Sequence, residues 1–212
     1  MTVQSRVHAG WRPAVIVLWR RALGEIGGNR VIVGHIGIAF GARALRHEAP
    51  LVWLLAAAIL PDIADGVLAV AGVCNSFGTY SHSVPASLTL AVAAGGLALA
   101  LTRNRAVALA AAAVVLTHLP LDLFTGRKAL WPGGPVAGLF LYRFPVWDFL
   151  IELPVVTLGW LMLRRSKAAP WQVTGVAALA GLLILQATAD YTSAHRPLKP
   201  PSPCERITAG NA

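Results

Sequence analysis

The chain has 212 residues, of which 56% are hydrophobic and 13% charged, and its mean hydropathy is +0.63. Soluble domains carry about 25% charged residues and disordered chains are apolar-poor and charge-rich, so the composition argues against both. The net charge of +9 does not indicate nucleic acid, because the cations flank apolar runs, as orientation charges of membrane helices do, instead of forming one basic stripe.

In chain order, residues 1–30 mix Trp11, Val15 and Trp19 with Arg12, Arg20 and Arg21. Their apolar stretch is too short for a signal-peptide core, and they predict an interfacial basic segment. Six candidate membrane segments follow at 31–46, 50–72, 84–102, 105–124, 145–163 and 171–190. Residues 31–190 are therefore expected to form one all-α, polytopic membrane domain of five or six segments, at roughly 20 residues each. The tail, 191–212, holds four prolines after His195 and is expected to be disordered surface.

Gly34, Gly37 and Gly41 place small residues on one side of the first segment, where they allow close helix packing. Trp53, Trp160 and Trp171 near one set of segment ends, and Trp147 near the other, are expected in interfacial belts. Cys74 and Cys204 are too few for a disulfide framework or a zinc cluster, and leave a single bridge open.

The ionisable residues in or beside the apolar runs are His35, Asp62, Asp65, His82, His118, Asp122, Asp148, Glu152 and Asp190. Each would cost roughly 2.5–3.5 kcal/mol at the bilayer centre. They alternate early and late in successive segments, so antiparallel threading brings all nine towards one membrane face. That sorting predicts a shared polar site. His118 and Asp122, at i and i+4, share a helix face, although Pro120 between them can kink the turn. Asp62 and Asp65 can also share a face, although Pro61 is expected to break the helix there.

Imidazole nitrogen and carboxylate oxygen are ligands for zinc and similar ions. Three histidines and three aspartates can hold one ion with supporting partners, or two ions about 3.5–4 Å apart. Plainer roles stand beside these: Asp62 as a cap, Ser81 and Ser83 as caps of the third segment, and Asp148 and Glu152 paired with Arg143 or Arg127. His8, His47 and His195 lie in polar stretches and are expected to be solvated.

The strings Gly34-His35, Leu60-Pro61-Asp62 with Asp65, Tyr80-Ser81-His82-Ser83 and THLPLDLFTGRKALWP from Thr117 to Pro132 resemble a family of bacterial inner-membrane proteins. These are described as membrane-bound metal-dependent hydrolases of the LexA-regulated type, distantly similar to the all-helical zinc phospholipase C and single-strand nuclease group. The resemblance covers about residues 33–152. It implies a helical membrane domain whose His35, Asp62, His82, His118 and Asp122 bind metal. The family's second aspartate often lies two residues after the first, whereas Asp65 lies three after, and Phe77-Gly78-Thr79-Tyr80 lacks the His-Arg pair often found there.

Together these features lead to an expected metal-dependent hydrolase of the bacterial inner membrane, acting on a phosphoester of membrane lipid type. A divalent ion, zinc by expectation, would be held by the three histidines, Asp122 and one of Asp62 or Asp65. The other aspartate would orient or deprotonate water, and Arg127, Lys128 or Arg143 would hold phosphate. Asp148 and Glu152 form a second tier. The rival is a non-enzymatic protein using the same groups for proton or ion transport. The far face carries Arg43, Arg46, Arg103, Arg105, Arg164, Arg165 and Lys167, so the positive-inside rule turns the site outward.

Overall fold

The computed structural model describes residues 33–167, 173 and 175–195; the basic segment 1–30 and the tail beyond 195 lie outside them. Its helices are α1 (Val33–Leu45), α2 (Leu51–Ala58), α3 (Leu60–Val70), α4 (Val84–Thr102), α5 (Arg105–Thr125), α6 (Pro145–Arg165) and α7 (Val176–Ala194). A two-stranded antiparallel hairpin, β1 (Lys128–Ala129) and β2 (Val136–Ala137), lies between α5 and α6.

Helices form where apolar segments were expected, but the span count is smaller. Three, α4, α5 and α6, are long and apolar enough to cross a membrane, and α2 with α3 makes a fourth if that bent pair is one span. Among the described residues the expected five or six are not reached: α7 counts only as a shorter apolar helix, and α1 has 13 described residues. At 1.5 Å per residue it covers roughly 20 Å of a hydrocarbon core about 30 Å thick. The α2–α3 pair bends by 53° with Pro61 in the first turn of α3, where its missing N–H does no harm. Pro120, by contrast, sits inside an unbroken α5. At the other end of the domain, α7 continues to Ala194, past the expected boundary at 190.

The turn between α4 and α5 shows how polar punctuation sets the helices. Arg103 closes α4 in the left-handed conformation, and Asn104 caps α5 by accepting from the backbone N–H of Ala106 and Val107. An alanine- and valine-rich core joins α1, α2, α4 and α5. A second, aromatic one joins Phe40, Trp160 and Leu163. Trp160 is thus not a belt residue: it is 4% exposed, and its indole N–H donates to the Val173 carbonyl at 2.9 Å. Trp53 and Trp147 remain exposed, and Trp171 lies outside the described residues.

The α1–α6 contact is a backbone contact. A Cβ on Gly37 would stand 2.6 Å from both the Val155 carbonyl oxygen and Val156 Cα, and a Cβ on Gly159 would meet the Gly37 carbonyl. Small residues let membrane helices approach this closely. Gly41 is roomier, with its nearest neighbour 3.8 Å away. The glycine contact fixes the start of α1, and therefore His35, against α6.

Candidate metal centre

Three helices and a loop deliver the site. His35 is the third residue of α1, Asp62 and Asp65 occupy the start of α3, and His118 and Asp122 lie in the last two turns of α5. His82 comes from the loop before α4. It follows a tight turn through Gly78, whose φ of +68° suits glycine and whose Cβ, if present, would stand 2.9 Å from His82 Cβ. Ser83 then caps α4 through the Ala86 N–H. Ser81 makes no such cap and turns inward.

His35, His82, His118 and Asp122 are buried, and the Asp62 side chain is 13% exposed. His82 Nε2 and His118 Nε2 face each other at 3.1 Å. Asp122 Oδ2 stands 3.2 Å from the first and 3.6 Å from the second. The oxygens of Asp62 lie 3.6 Å from His82 Nε2 and 3.8 Å from His118 Nε2. His35 packs its ring 3.8 Å from that of His118, with Nε2 3.6 Å from Asp122 Oδ1.

Hydrogen bonds on the outer side of the imidazoles fix their tautomers. His118 Nδ1 lies 2.8 Å from the Ala58 carbonyl, an obligate acceptor, so Nδ1 carries the proton. Asp65 accepts from the Ser81 hydroxyl and from Asn75 Nδ2 at 2.5 Å. Its hydrogen spent on Asp65, Ser81 Oγ accepts from His82 Nδ1 at 2.7 Å. Both Nε2 atoms are thereby left as lone-pair donors pointing at one another, an arrangement that needs a proton or a cation between them.

The protein itself favours a positive charge there. Burial opposes protonation of His82, yet Asp62 and Asp65 prevail and hold its pKa above the ordinary 6.5. Donors around a tetrahedral zinc, each about 2.0–2.2 Å from the ion, stand roughly 3.3–3.6 Å apart, and the spacings here, from 3.1 to 3.8 Å, bracket that range. The described residues offer two overlapping triads, His35/His118/Asp122 and Asp62/His82/His118. Among the described residues both ring nitrogens of His35 are buried without a hydrogen-bond partner; one orphaned nitrogen is what an empty ligand position leaves, whereas the other lacks the outer partner a ligating histidine usually has. The donor set fits a divalent metal.

Not every expected residue joins this centre. Asp65 is 3.6 Å from Nδ1 of His82, on the outer side of the ring, in the position of the carboxylates that orient metal-binding histidines. Lys128 reaches in from β1, its Nζ 2.7 Å from Asp122 Oδ2. Arg127 and Arg143 instead lie over the Phe140 ring, at 6.0 and 5.4 Å. Neither pairs with Asp148 or Glu152, so the expected loop staple is not formed. Asp148 and Glu152 are buried with Gln186 and Asp190, next to the centre. Glu152 accepts from the backbone N–H of Gly34 at 2.5 Å, and Gln186 donates to Asp190 at 2.7 Å. His47 and His195 are exposed, while His8 lies outside the described residues.

Two contributors escape a reading of residue types. The Ala58 carbonyl is backbone, and Asn75 sits in a short polar loop where nothing distinguishes it from a turn former. Cys74, its neighbour, is disulfide-bonded.

A family model described as YdjM inner membrane protein matches residues 29–192, most of the chain. The chain belongs to that family and is a helical membrane protein. No curated protein and no solved structure matches it. The family description carries no activity, so the hydrolase part of the resemblance noted in the sequence does not follow from membership.

Proposed function

We propose that this inner membrane protein is a metal-dependent hydrolase of phosphoesters, built around one divalent ion, with zinc as the expected metal. The observation that carries the reading is the pair of facing Nε2 lone pairs at 3.1 Å, flanked by the carboxylates of Asp62 and Asp122. His82, His118 and Asp122 would hold the ion and leave a fourth position for water, with Asp62 beside that position and His35 packed against the His118 ring. One ion is favoured over two because the two triads share His118, whose Nε2 has a single lone pair.

When bound, such a metal lowers the pKa of a water to about 7 and polarises a phosphoryl oxygen. Asp62, more exposed than Asp122, is the group to orient that water or take its proton. Asp65 positions His82, and is not expected to touch the reacting atoms. Lys128, whose Nζ already reaches Asp122, is the cation placed to hold a phosphate, while Arg127 and Arg143 lie farther out over Phe140.

A lipid-borne substrate is supported by the exposed aromatic residues beside site residues. Tyr80, Trp131 and Trp147 are exposed and neighbour His82, Lys128 and Asp148 in the sequence. Such residues settle at headgroup level. The outward orientation is supported by the cations of the opposite face.

The test is elemental analysis of the detergent-purified full chain as wild type, His118→Ala and Asp122→Asn, followed by assay of bis(p-nitrophenyl) phosphate and phospholipid cleavage. Close to one zinc per wild-type chain, lost in both variants, with turnover that follows the metal, is the expected outcome. No metal in wild type after incubation with zinc or manganese would overturn the reading.

A further inference from the structure

Asp122 Oδ2 serves three neighbours at once: Lys128 Nζ at 2.7 Å, His82 Nε2 at 3.2 Å and His118 Nε2 at 3.6 Å. Lys128 is delivered there by a backbone tied down on two sides. Its strand pairs with Val136–Ala137, the Leu130 carbonyl accepts from the N–H of Val84 at the start of α4, and the Leu139 N–H donates to the Leu123 carbonyl of α5. The Lys128 side chain is 19% exposed, so its ammonium lies largely inside the polar cluster. An ammonium and a divalent ion on the same carboxylate oxygen repel strongly, because a buried pocket screens them little. Asp122 cannot hold both well.

Resting on the metal-site reading above, we propose that Lys128 is a resident counter-ion of the metal-free site. It neutralises Asp122 until the metal arrives, is displaced by it, and then offers its freed ammonium to the anionic phosphoryl oxygen of the substrate. Metal loading therefore creates the anion site, and binding is ordered, metal first and anion second. The stem of Lys128 has the rotatable bonds that such a swing needs. Arg127 and Arg143 are already engaged on Phe140 and make no ion pair with Asp122.

The experiment uses the full chain in detergent micelles, titrated calorimetrically with zinc chloride as wild type, Lys128→Met, Lys128→Gln and Lys128→Arg. Two neutral variants are included so that the comparison does not depend on one of them folding; far-UV circular dichroism checks helix content. With the competing charge removed, both neutral variants should bind zinc at least tenfold more tightly than wild type, and Lys128→Arg should stay near it. Neutral variants that bind no tighter than wild type would overturn the counter-ion role while leaving the metal site standing. Failure of wild type and variants alike to take zinc would remove the metal site itself. In a second arm, inorganic phosphate should bind zinc-loaded wild type at least tenfold more tightly than either metal-free wild type or zinc-loaded Lys128→Met. Equal phosphate affinity of zinc-loaded wild type and zinc-loaded Lys128→Met would overturn the anion role.

Discussion

Gly37→Ala is the substitution that most directly links packing to the site. The added methyl would stand 2.6 Å from the Val155 carbonyl oxygen and from Val156 Cα, both backbone atoms that cannot rotate away. Ordinary contact needs about 3.4 Å or more, so α1 and α6 must part by a sizeable fraction of an ångström. Overpacking of this kind costs about 1–3 kcal/mol, which lowers the folded-to-unfolded ratio by roughly 5- to 150-fold. Gly41→Ala, on the same helix, meets nothing closer than 3.8 Å and should be neutral within about 0.5 kcal/mol. The assay is unfolding in dodecyl sulfate from mild detergent, followed by circular dichroism, for the two variants and wild type. Because His35 lies two residues before Gly37, the destabilised variant should also bind zinc more weakly. A Gly37→Ala protein as stable as Gly41→Ala would refute the close α1–α6 contact.

Two further outcomes follow from the outer side of His82. Asp65→Asn removes an orienting carboxylate and no ligand, so zinc affinity should drop about 10- to 100-fold without vanishing, as read by calorimetry; complete loss would make Asp65 a ligand, and no change would leave it idle. The pH dependence has a fixed sign. His82 is held above its ordinary 6.5, so its protonated form stabilises the metal-free fold fully below pH 6.5, and that contribution is lost as pH rises through the folded-state value. A metal must displace this proton, so zinc affinity should begin to fall above pH 6.5 as the solution is acidified. A titration showing constant affinity down to pH 6.5 contradicts that assignment.

The class of protein and the gathering of its polar residues were legible because both are coarse. Apolar runs separated by short loops force antiparallel helices, and alternate placement of His35, Asp62, His82, His118 and Asp122 then carries them to one end. What depends on local geometry was not legible. Apolar length could not reveal that α1 would end at Leu45, or that α2 and α3 would meet at 53°. Asp65 resembles Asp62 in type and spacing, and only the turn through Gly78 decides that it meets Nδ1 of His82 instead of Nε2. Trp160 follows the rule for a belt residue, but packing between α1 and α6 draws it into the core. Asp190 could be placed at the right end of its helix, and its bond from Gln186 is a local i,i+4 contact, while its approach to Asp148 of α6 needed the fold.

The break after Ala58 has a consequence for how this site would respond to mutation. The group that sets the His118 tautomer is a main-chain oxygen at a helix end, and every residue type carries one. Scanning position 58 would therefore leave the acceptor untouched, and a survey of side chains would score the position as dispensable. The break lies beside Pro61, in the first turn of α3. A variant able to mend the helix across Ile59 would turn that oxygen along the helix axis towards the Asp62 N–H and weaken its hold on the imidazole, although no ligand had changed. Pro61 belongs among the determinants of the metal centre while contributing no donor to it.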